Sequence, residues 1–376
     1  MSLQANLNQL VEAARNPRKT VSDAMAQTGK KAVGWLPVYA PEELIEAAGF
    51  LPVGMWGGQV TVQKADAYMQ SFGCSVVRAV LENAINGAYD MLSGLVLTSS
   101  CDTLKAGGQD LMKILDGKPI DIMFINYAQN RFEQSGINYM MAELEELKKR
   151  LEALGGKKVS DDDIQKSIAL YEDYRAALRQ FTQLVKDHSK TVDLKTRHLV
   201  IKAGMLMDKT AYTAKLKEIN TELAKLPKEA MDGLKVVITG IMTEPEALLD
   251  LFINSKVNFV ADDLAQESRQ FRTSVPAGGN GIERLAKRVQ NQEACAMLFS
   301  GGKSKGKFLI DLMKANDAQA LVSCQMKFCD PEGFDFPIYK KEVEEAGYKV
   351  LSFEIEQKMD SVEQLRTRIQ SFVEMF

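Results

Sequence analysis

The chain has 376 residues, of which 45% are hydrophobic and 26% are charged, and this composition is enough for a sizeable core in two or three domains. A formal net charge of −3 and a pI near 5.7 argue against a nucleic-acid-binding protein, because phosphate binding needs an excess of cations. Residues 1–19 lack the apolar stretch of a signal peptide, and no apolar run approaches the ~20 residues that span a bilayer. We therefore expect a cytoplasmic protein that interacts with neither nucleic acid nor membrane.

The first half of the chain predicts a helical arm followed by a parallel sheet. Residues 1–29 have a helical pattern, and residues 30–135 form the first α/β domain, because runs of β-forming residues alternate there with helical patterns. The predicted strands are residues 31–36, 51–55, 95–98 and 120–126, and the predicted helices cover residues 40–48, residues 74–84 and the stretch that follows Asp102 and ends at Leu115.

Residues 136–233 are predicted as a helical segment that acts as a lid or an interface. Apolar residues recur at helical spacing in Met140, Leu144, Leu147 and Leu151, and Ser160 with three following aspartates is typical of a helix start. Its charge runs indicate a solvated helix face rather than a binding site.

Alternation resumes in residues 234–376, the second α/β domain. Its predicted strands are residues 234–239, 257–261, 349–354 and one that ends at 321–323, and its predicted helices are residues 244–253, 284–299, 308–314, 339–345 and 361–376. The sequence therefore predicts an α/β protein with two Rossmann-like parallel-sheet domains and a helical segment between them.

Three of the five cysteines fall where the predicted strands give way to turns or helices. Cys101 follows the strand at 95–98, Cys329 follows the apolar run at 318–322, and Cys74 opens a helix. In α/β sheets, sites gather at the carboxyl ends of strands, so folding is expected to bring these thiols together. Three thiolates with one open position suit an iron–sulfur cluster that must touch a substrate or an electron donor.

The remaining cysteines and the histidines favour other roles. Cys324 ends a strand, where its side chain can face the packed sheet, and Cys295 lies in an apolar stretch predicted as helix, so both are expected in the core. Zinc is disfavoured because the cysteines are scattered, and His188 and His198 lie in the helical segment, remote in sequence from every cysteine. Disulfides are not expected in a cytoplasmic chain with an odd number of thiols.

Two further motifs leave alternatives open. Residues 301–308 match part of a phosphate-binding loop, but Phe308 stands where a magnesium-binding hydroxyl is needed, so we interpret them as a basic turn with a weaker option of attracting a coenzyme phosphate or an acidic partner. Asp262 and Asp263 follow a predicted strand and precede Arg269 and Arg272. This acidic pair is either a helix start or part of an acid–arginine pair that orders the site.

Residues 31–53, together with Ser100-Cys101-Asp102 and Lys327-Phe328-Cys329-Asp330-Pro331, resemble the 2-hydroxyacyl-CoA dehydratase and benzoyl-CoA reductase family, and the length resembles that of its smaller (β) subunit. The resemblance implies a heterodimer with a larger α subunit and a 4Fe-4S cluster held by Cys74, Cys101 and Cys329. It also implies an ATP-dependent iron–sulfur activator protein and an acyl-CoA substrate. In this family one injected electron turns the thioester carbonyl into a ketyl radical anion, which expels the 2-hydroxyl group.

The function expected from this resemblance is the small subunit of a lyase that converts (R)-2-hydroxyacyl-CoA into (E)-2-enoyl-CoA. The alternatives are a subunit of an aromatic acyl-CoA reductase, a non-catalytic iron–sulfur electron-transfer or scaffold subunit, and a metal-free α/β binding module. In this family the substrate-bearing cluster belongs to the larger subunit, so no catalytic acid or base is assigned here.

Overall fold

A computed structural model describes residues 2–155 and 157–376. Within these ranges the strands are β1 (Ala32–Leu36), β2 (Leu51–Gly54), β3 (Leu92–Thr98), β4 (Asp121–Ile125), β5 (Leu234–Gly240), β6 (Val257–Leu264), β7 (Ala320–Met326) and β8 (Lys349–Ile355). The helices are α1 (Leu3–Arg15), α2 (Pro17–Thr28), α3 (Glu42–Ala47), α4 (Ser75–Ile85), α5 (Asp102–Ile114), α6 (Gln134–Gly155), α7 (Asp161–Lys186), α8 (Leu194–Ala203), α9 (Lys209–Leu223), α10 (Glu246–Asn254), α11 (Ser268–Phe271), α12 (Gly281–Gln290), α13 (Lys305–Ala315), α14 (Asp330–Glu345) and α15 (Glu363–Val373).

Two four-stranded parallel sheets form the frame, and they have the same strand order. The first sheet runs β2-β1-β3-β4 and the second runs β6-β5-β7-β8, with every pair parallel. Leu36 in β1 lies opposite Leu97 in β3, and Ile238 in β5 lies opposite Val322 in β7. The predicted fold class, two Rossmann-like parallel sheets in an α/β protein, is confirmed.

The central strands are apolar runs because helices cover both faces of each sheet. Leu95, Val96 and Leu97 are at most 1% exposed, and Val236 and Ile238 are fully buried. These residues belong to one contiguous apolar cluster that includes strands of both sheets. The two sheets therefore share a core.

The helical segment consists of α6 to α9, and α1 packs on it. Leu7 and Leu10 of α1 are buried in a second apolar cluster with residues of α7, α8 and α9. Ser160 caps α7 in a capping box with Asp163, as the serine and the following acids predict. The order of the elements follows the predicted segments, but the division into domains at 29, 135 and 233 stays a prediction.

The helix predicted over residues 284–299 was wrong at both ends. α12 begins earlier, at a capping side chain from Asn280, and it ends at Gln290. The buried guanidinium of Arg131 donates hydrogen bonds to the carbonyls of the last two α12 residues, and Ala294 has a φ of 53°. A left-handed residue cannot continue a helix, so the chain is irregular from residue 291 to the start of α13.

The helix predicted over residues 339–345 is much longer. α14 begins at Asp330, directly after Cys329, and it continues through Pro337. Pro331 stands in the first turn of α14, where a proline loses no hydrogen bond, so it does not delay the start of the helix. Several strands are also longer than predicted, and β6 includes Asp262 and Asp263, so these acids do not start a helix.

Candidate functional site

The three predicted cysteines occupy the same kind of position, the N-cap of a helix. Cys74 precedes α4, Cys101 precedes α5 and Cys329 precedes α14. Cys101 comes three residues after the end of β3 at Thr98, and Cys329 comes three residues after the end of β7 at Met326. Because β3 and β7 hold equivalent places in the two sheets, Cys101 and Cys329 are equivalent positions of the two halves.

The three cysteines line one cavity, which has a volume of about 500 Å³. Residues directly after four strands line it, which places the cavity at the carboxyl ends of both sheets, as predicted for the site. These residues are Pro37 after β1, Ser99 after β3, Ile241 after β5 and Ala265 after β6. The apolar part of the lining includes Leu36, Val38, Trp56, Val76 and Met297, and the charged part includes Asp102, Lys105, Lys303, Asp330 and Asp335.

Burial makes each thiol hard to ionise in the absence of a cation. Removal from water raises the pKa of Cys101 to about 11, and it also raises the pKa of Cys74 and of Cys329. Negative charge on a neighbouring cysteine raises the pKa further: Cys74 acts on Cys101, and both act on Cys329. This mutual effect indicates that the three sulfurs share one electrostatic environment.

Backbone N–H groups at the helix starts lower the pKa values of the thiols. The N–H groups of Val76 and Val77 lower the pKa of Cys74, though less than burial raises it, and those of Thr103 and Leu104 do the same for Cys101. Helix N-termini stabilise negative charge through these free N–H groups. The cavity is therefore arranged to hold thiolates once a cation compensates their charge.

A largely buried ionic network lies behind Cys329. Arg269 donates from Nη2 to Oδ2 of Asp263 at 2.8 Å and from Nη1 to Oε1 of Glu332 at 2.7 Å. Lys305 Nζ lies 2.5 Å from Oε2 of Glu332, and Arg272 Nη1 lies 2.5 Å from Oδ1 of Asp263. The hypothesis of an acid–arginine pair near the site is thus supported for Asp263, whereas Asp262 pairs with Arg197.

Glu332 and Lys305 were missed by sequence reasoning. Glu332 is three residues after Cys329 and only 2% exposed, but it fell in a stretch for which no helix was predicted. Burial alone would raise the pKa of Glu332, yet the charges of Arg269 and Lys305 hold it below its ordinary value. For the same reason Arg269 and Arg272 hold the pKa of Asp263 well below its usual range.

The other cysteines and the histidines are not among the residues that line this cavity. Cys324 lies in β7 and is fully buried, and Cys295 is 3% exposed, although it lies in an irregular segment rather than in the predicted helix. His188 follows the end of α7 and contacts the carbonyl oxygen of Leu184. His198 in α8 is buried against Glu267, with 2.8 Å between Nδ1 and Oε1.

The basic turn at 301–304 leads into α13 and presents one lysine to the cavity. Lys303 lines the cavity and its Nζ lies 2.6 Å from Oδ1 of Asp335. The segment before this turn is irregular, so residues 301–308 lack the strand that precedes a phosphate-binding loop.

Two features are absent from the described part of the chain. In residues 2–155 and 157–376, no group of three or more His, Cys, Asp or Glu side chains is arranged to hold a single metal ion. Over the same ranges, no helix is long and apolar enough to cross a membrane.

Comparison with known proteins decides the family. The model of the family described as 2-hydroxyglutaryl-CoA dehydratase, D-component, matches residues 37–376. The chain belongs to this family. The predicted resemblance is therefore confirmed, and the match includes all three cysteines of the cavity.

Curated relatives cover almost the whole chain. The lactoyl-CoA dehydratase subunit beta of Anaerotignum propionicum is 42% identical, over 99% of both chains. The (R)-phenyllactyl-CoA dehydratase beta subunit of Clostridium sporogenes is 35% identical, over 98% of this chain and 97% of that one. One of the benzoyl-CoA reductase subunits of Thauera aromatica is 26% identical, over 93% and 92%. The chain therefore belongs with the 2-hydroxyacyl-CoA dehydratase beta-subunit family, and the relatives named here are subunits of dehydratases and of a reductase.

Proposed function

We propose that this chain is the small subunit of an (R)-2-hydroxyacyl-CoA dehydratase and that Cys74, Cys101 and Cys329 hold a 4Fe-4S cluster. The observation that carries the proposal is the placement of three N-cap cysteines around one cavity in a member of this family. The reaction removes water from the 2-hydroxyacyl thioester and gives the (E)-2-enoyl-CoA.

The donor set of the cavity suits such a cluster. Thiolates are the ligands of iron–sulfur clusters, and three thiols lie at helix starts whose N–H groups favour negative charge. A cluster of four irons is larger than one ion, so its ligands need not converge on a single point, which agrees with the absence of a compact ion-binding group among the described residues. When bound, the cluster supplies one-electron chemistry and an iron with an open coordination position.

The residues that line the cavity exclude water from it and fix the positions of the cysteines. Leu36, Val38 and Trp56 form an apolar wall that excludes water, and exclusion of water protects reactive radical species from side reactions. Cys101 and Cys329 are fixed by the ends of β3 and β7, so two ligands come from rigid elements of the two halves.

The partners follow from the same proposal. The enzyme is completed by a larger α subunit, an ATP-dependent iron–sulfur activator delivers one electron, and dehydration proceeds through a ketyl radical of the acyl-CoA substrate. The names of the relatives, each of which is a subunit, support a partner chain. Free thiols in all five cysteines agree with a reducing compartment, and we propose the cytoplasm.

The first experiment is iron and acid-labile sulfide analysis on protein purified without oxygen. We expect about four irons and four sulfides per chain, as one cubane cluster requires. Cys74→Ser, Cys101→Ser and Cys329→Ser should each lower the iron content sharply, because each removes a thiolate ligand. Cys295→Ser and Cys324→Ser are the matched controls and should keep it. Full iron in all five variants, or zinc in the wild type, would contradict the ligand assignment.

The substrate class is tested with the reconstituted enzyme. Purified chain, larger subunit and activator are assayed with ATP on lactoyl-CoA, 2-hydroxyisocaproyl-CoA, phenyllactyl-CoA and benzoyl-CoA. Enoyl-CoA formation from one of the hydroxyacyl thioesters, and only when both subunits are present, is the expected result. Activity of this chain alone would contradict the subunit role.

A subunit of an aromatic acyl-CoA reductase is the second candidate, because the relative from Thauera aromatica is a benzoyl-CoA reductase subunit. Its 26% identity is lower than the 42% and 35% of the two dehydratase subunits, which favours the dehydratase. Consumption of benzoyl-CoA, with no hydroxyacyl thioester dehydrated, would decide for the reductase.

A further inference from the structure

The ionic network behind Cys329 has a net positive charge, which a purely structural role does not require. It contains three cations, Arg269, Arg272 and Lys305, and two carboxylates, Asp263 and Glu332, so it carries a net charge of +1 when all five are ionised. The side chains of Arg269 and Asp263 are 0% exposed, those of Lys305 and Glu332 are 4% and 3% exposed, and that of Arg272, at the edge of the network, is 16% exposed. Charges buried this deeply are screened little by salt or water.

The network reaches the site through one helix. Glu332 lies in the first turn of α14, whose N-cap is Cys329, and its carboxylate joins Arg269 from α11 to Lys305 from α13. Glu332 is three residues after Cys329, so the two residues are neighbours on one turn of the helix. Arg269 Nη1 also lies 3.7 Å from Sγ of Cys295. The ionic network therefore includes a carboxylate in the first turn of the helix that begins after Cys329.

The equivalent position in the first half is apolar. Three residues after Cys101 stands Leu104, which is 4% exposed, and the charged residues near that cysteine are Asp102 and Lys105, whose side chains are 97% and 57% exposed. Exposed charges are screened by water and have little effect on a buried group. Of the two equivalent positions, the one after Cys329 holds a buried charge, Glu332, and the one after Cys101 holds the apolar Leu104.

We infer that Arg269, Lys305 and Glu332 are positioning residues whose buried net positive charge sets the reduction potential of the group held by the cysteines. A net positive charge favours the more negatively charged, reduced state. The inference rests on the proposed function, because it concerns the cluster that the three cysteines are proposed to bind.

The experiment compares two substitutions of opposite charge. Lys305→Met removes a buried cation and Glu332→Gln removes a buried anion, and both also break the same 2.5 Å contact. Lys305→Met should shift the reduction potential in the negative direction and Glu332→Gln in the positive direction, each by about 59 mV, which is a tenfold change for one electron. The potential is measured by anaerobic redox titration of the visible and EPR spectra.

The sign of the two shifts separates electrostatics from structure. Loss of the contact lowers the midpoint urea concentration of unfolding in both variants, whereas the potential moves in opposite directions. Lys307→Gln is the matched control, because Lys307 lies on the same helix with its side chain 80% exposed, and it should change neither quantity. If Lys305→Met does not fold, Arg272→Gln replaces it and should shift the potential in the negative direction. If Glu332→Gln does not fold, Asp263→Asn replaces it and should shift the potential in the positive direction.

The outcomes distinguish this inference from the proposed function. A wild-type protein without iron would overturn both. A wild-type protein with full iron content, together with variants whose potentials move in the same direction or not at all, would overturn the inference alone. Opposite shifts with unchanged iron content would establish it.

Discussion

The two halves of the molecule share a strand order and a cysteine position but support that cysteine differently. After β3, Cys101 is backed by the buried side chain of Leu104, and after β7, Cys329 is backed by the buried carboxylate of Glu332. Equivalent topology thus fixes where a ligand stands, while the residue one helical turn later decides whether apolar packing or buried charge holds it.

The same contrast extends to the helices that carry the cysteines. α5 contains Gly107, and a Cβ at that position would lie 2.4 Å from Cγ1 of Val77 in α4. α14 contains Gly333, and a Cβ there would meet nothing within 4 Å. The first half therefore brings two cysteine-bearing helices into close contact at Gly107, whereas the start of α14 has open space at Gly333 and is joined to α11 and α13 through the ion pairs of Glu332.

The largest expected effect is that of removing the central cation of the network. Arg269→Met leaves Asp263 and Glu332 buried without their main partner, and loss of one member of a buried ion pair costs about 3–5 kcal/mol of unfolding free energy. Urea unfolding of the cluster-free wild type and of Arg269→Met measures this loss of unfolding free energy. Arg366→Gln, which breaks an exposed pair with Glu363, is the control and should leave the unfolding free energy nearly unchanged. A small effect of Arg269→Met would show that the network does not stabilise the second half.

The corresponding change in the first half is Leu104→Ala. It removes buried methyl groups behind Cys101, and such substitutions cost about 3 kcal/mol, depending on how far the site collapses. Urea unfolding at low and at high salt tests the contrast: because the lost term is apolar, the destabilisation should not decrease as the salt concentration rises. A strong decrease would mean that charges also support Cys101.

A smaller effect is expected at the contact between α4 and α5. Gly107→Ala forces Val77 and its helix away, and overpacking of this kind costs about 1–3 kcal/mol and should also lower iron content, because α4 carries Cys74. Gly333→Ala is the matched control in α14: it has free space, and alanine is favoured over glycine in a helix by about 1 kcal/mol, so it should stabilise the chain. Equal destabilisation by both substitutions would refute the difference in packing.

The smallest effect is a pH dependence that Glu332 contributes and that has no counterpart at Leu104. The pKa of Glu332 is lowered in the folded chain, so the stability that its ionised form contributes is present above its unfolded pKa of about 4.3 and is lost as pH falls through the lower folded value. The difference in unfolding free energy between wild type and Glu332→Gln should therefore shrink below about pH 4, by at most ~1.4 kcal/mol per pH unit for one proton. The difference for Leu104→Ala should stay constant, because leucine does not titrate; urea unfolding at pH 7, 5 and 3.5 measures both.

Much of this protein follows from the sequence by itself. Apolar runs bounded by turns predict both parallel sheets, because a strand covered on both faces must be apolar throughout its length. Cys74, Cys101 and Cys329 could be chosen over Cys295 and Cys324 because they stand at the ends of regular elements, where parallel sheets place their sites. The family, too, is indicated by the sequence, through residues 31–53 and the Cys-Asp motifs.

Only the tertiary structure decided the shape of the site and its electrostatics. It places Asp263, Arg269, Lys305 and Glu332 in one buried cluster, although Asp263 and Glu332 are 69 residues apart in sequence. A charged residue in a sequence is normally assigned to the surface, and its burial becomes favourable only when partners from other elements meet it. The early end of α12 has the same origin, since Arg131, far away in the chain, takes the carbonyls of its last turn. Long-range contacts of this kind leave no local pattern in the sequence.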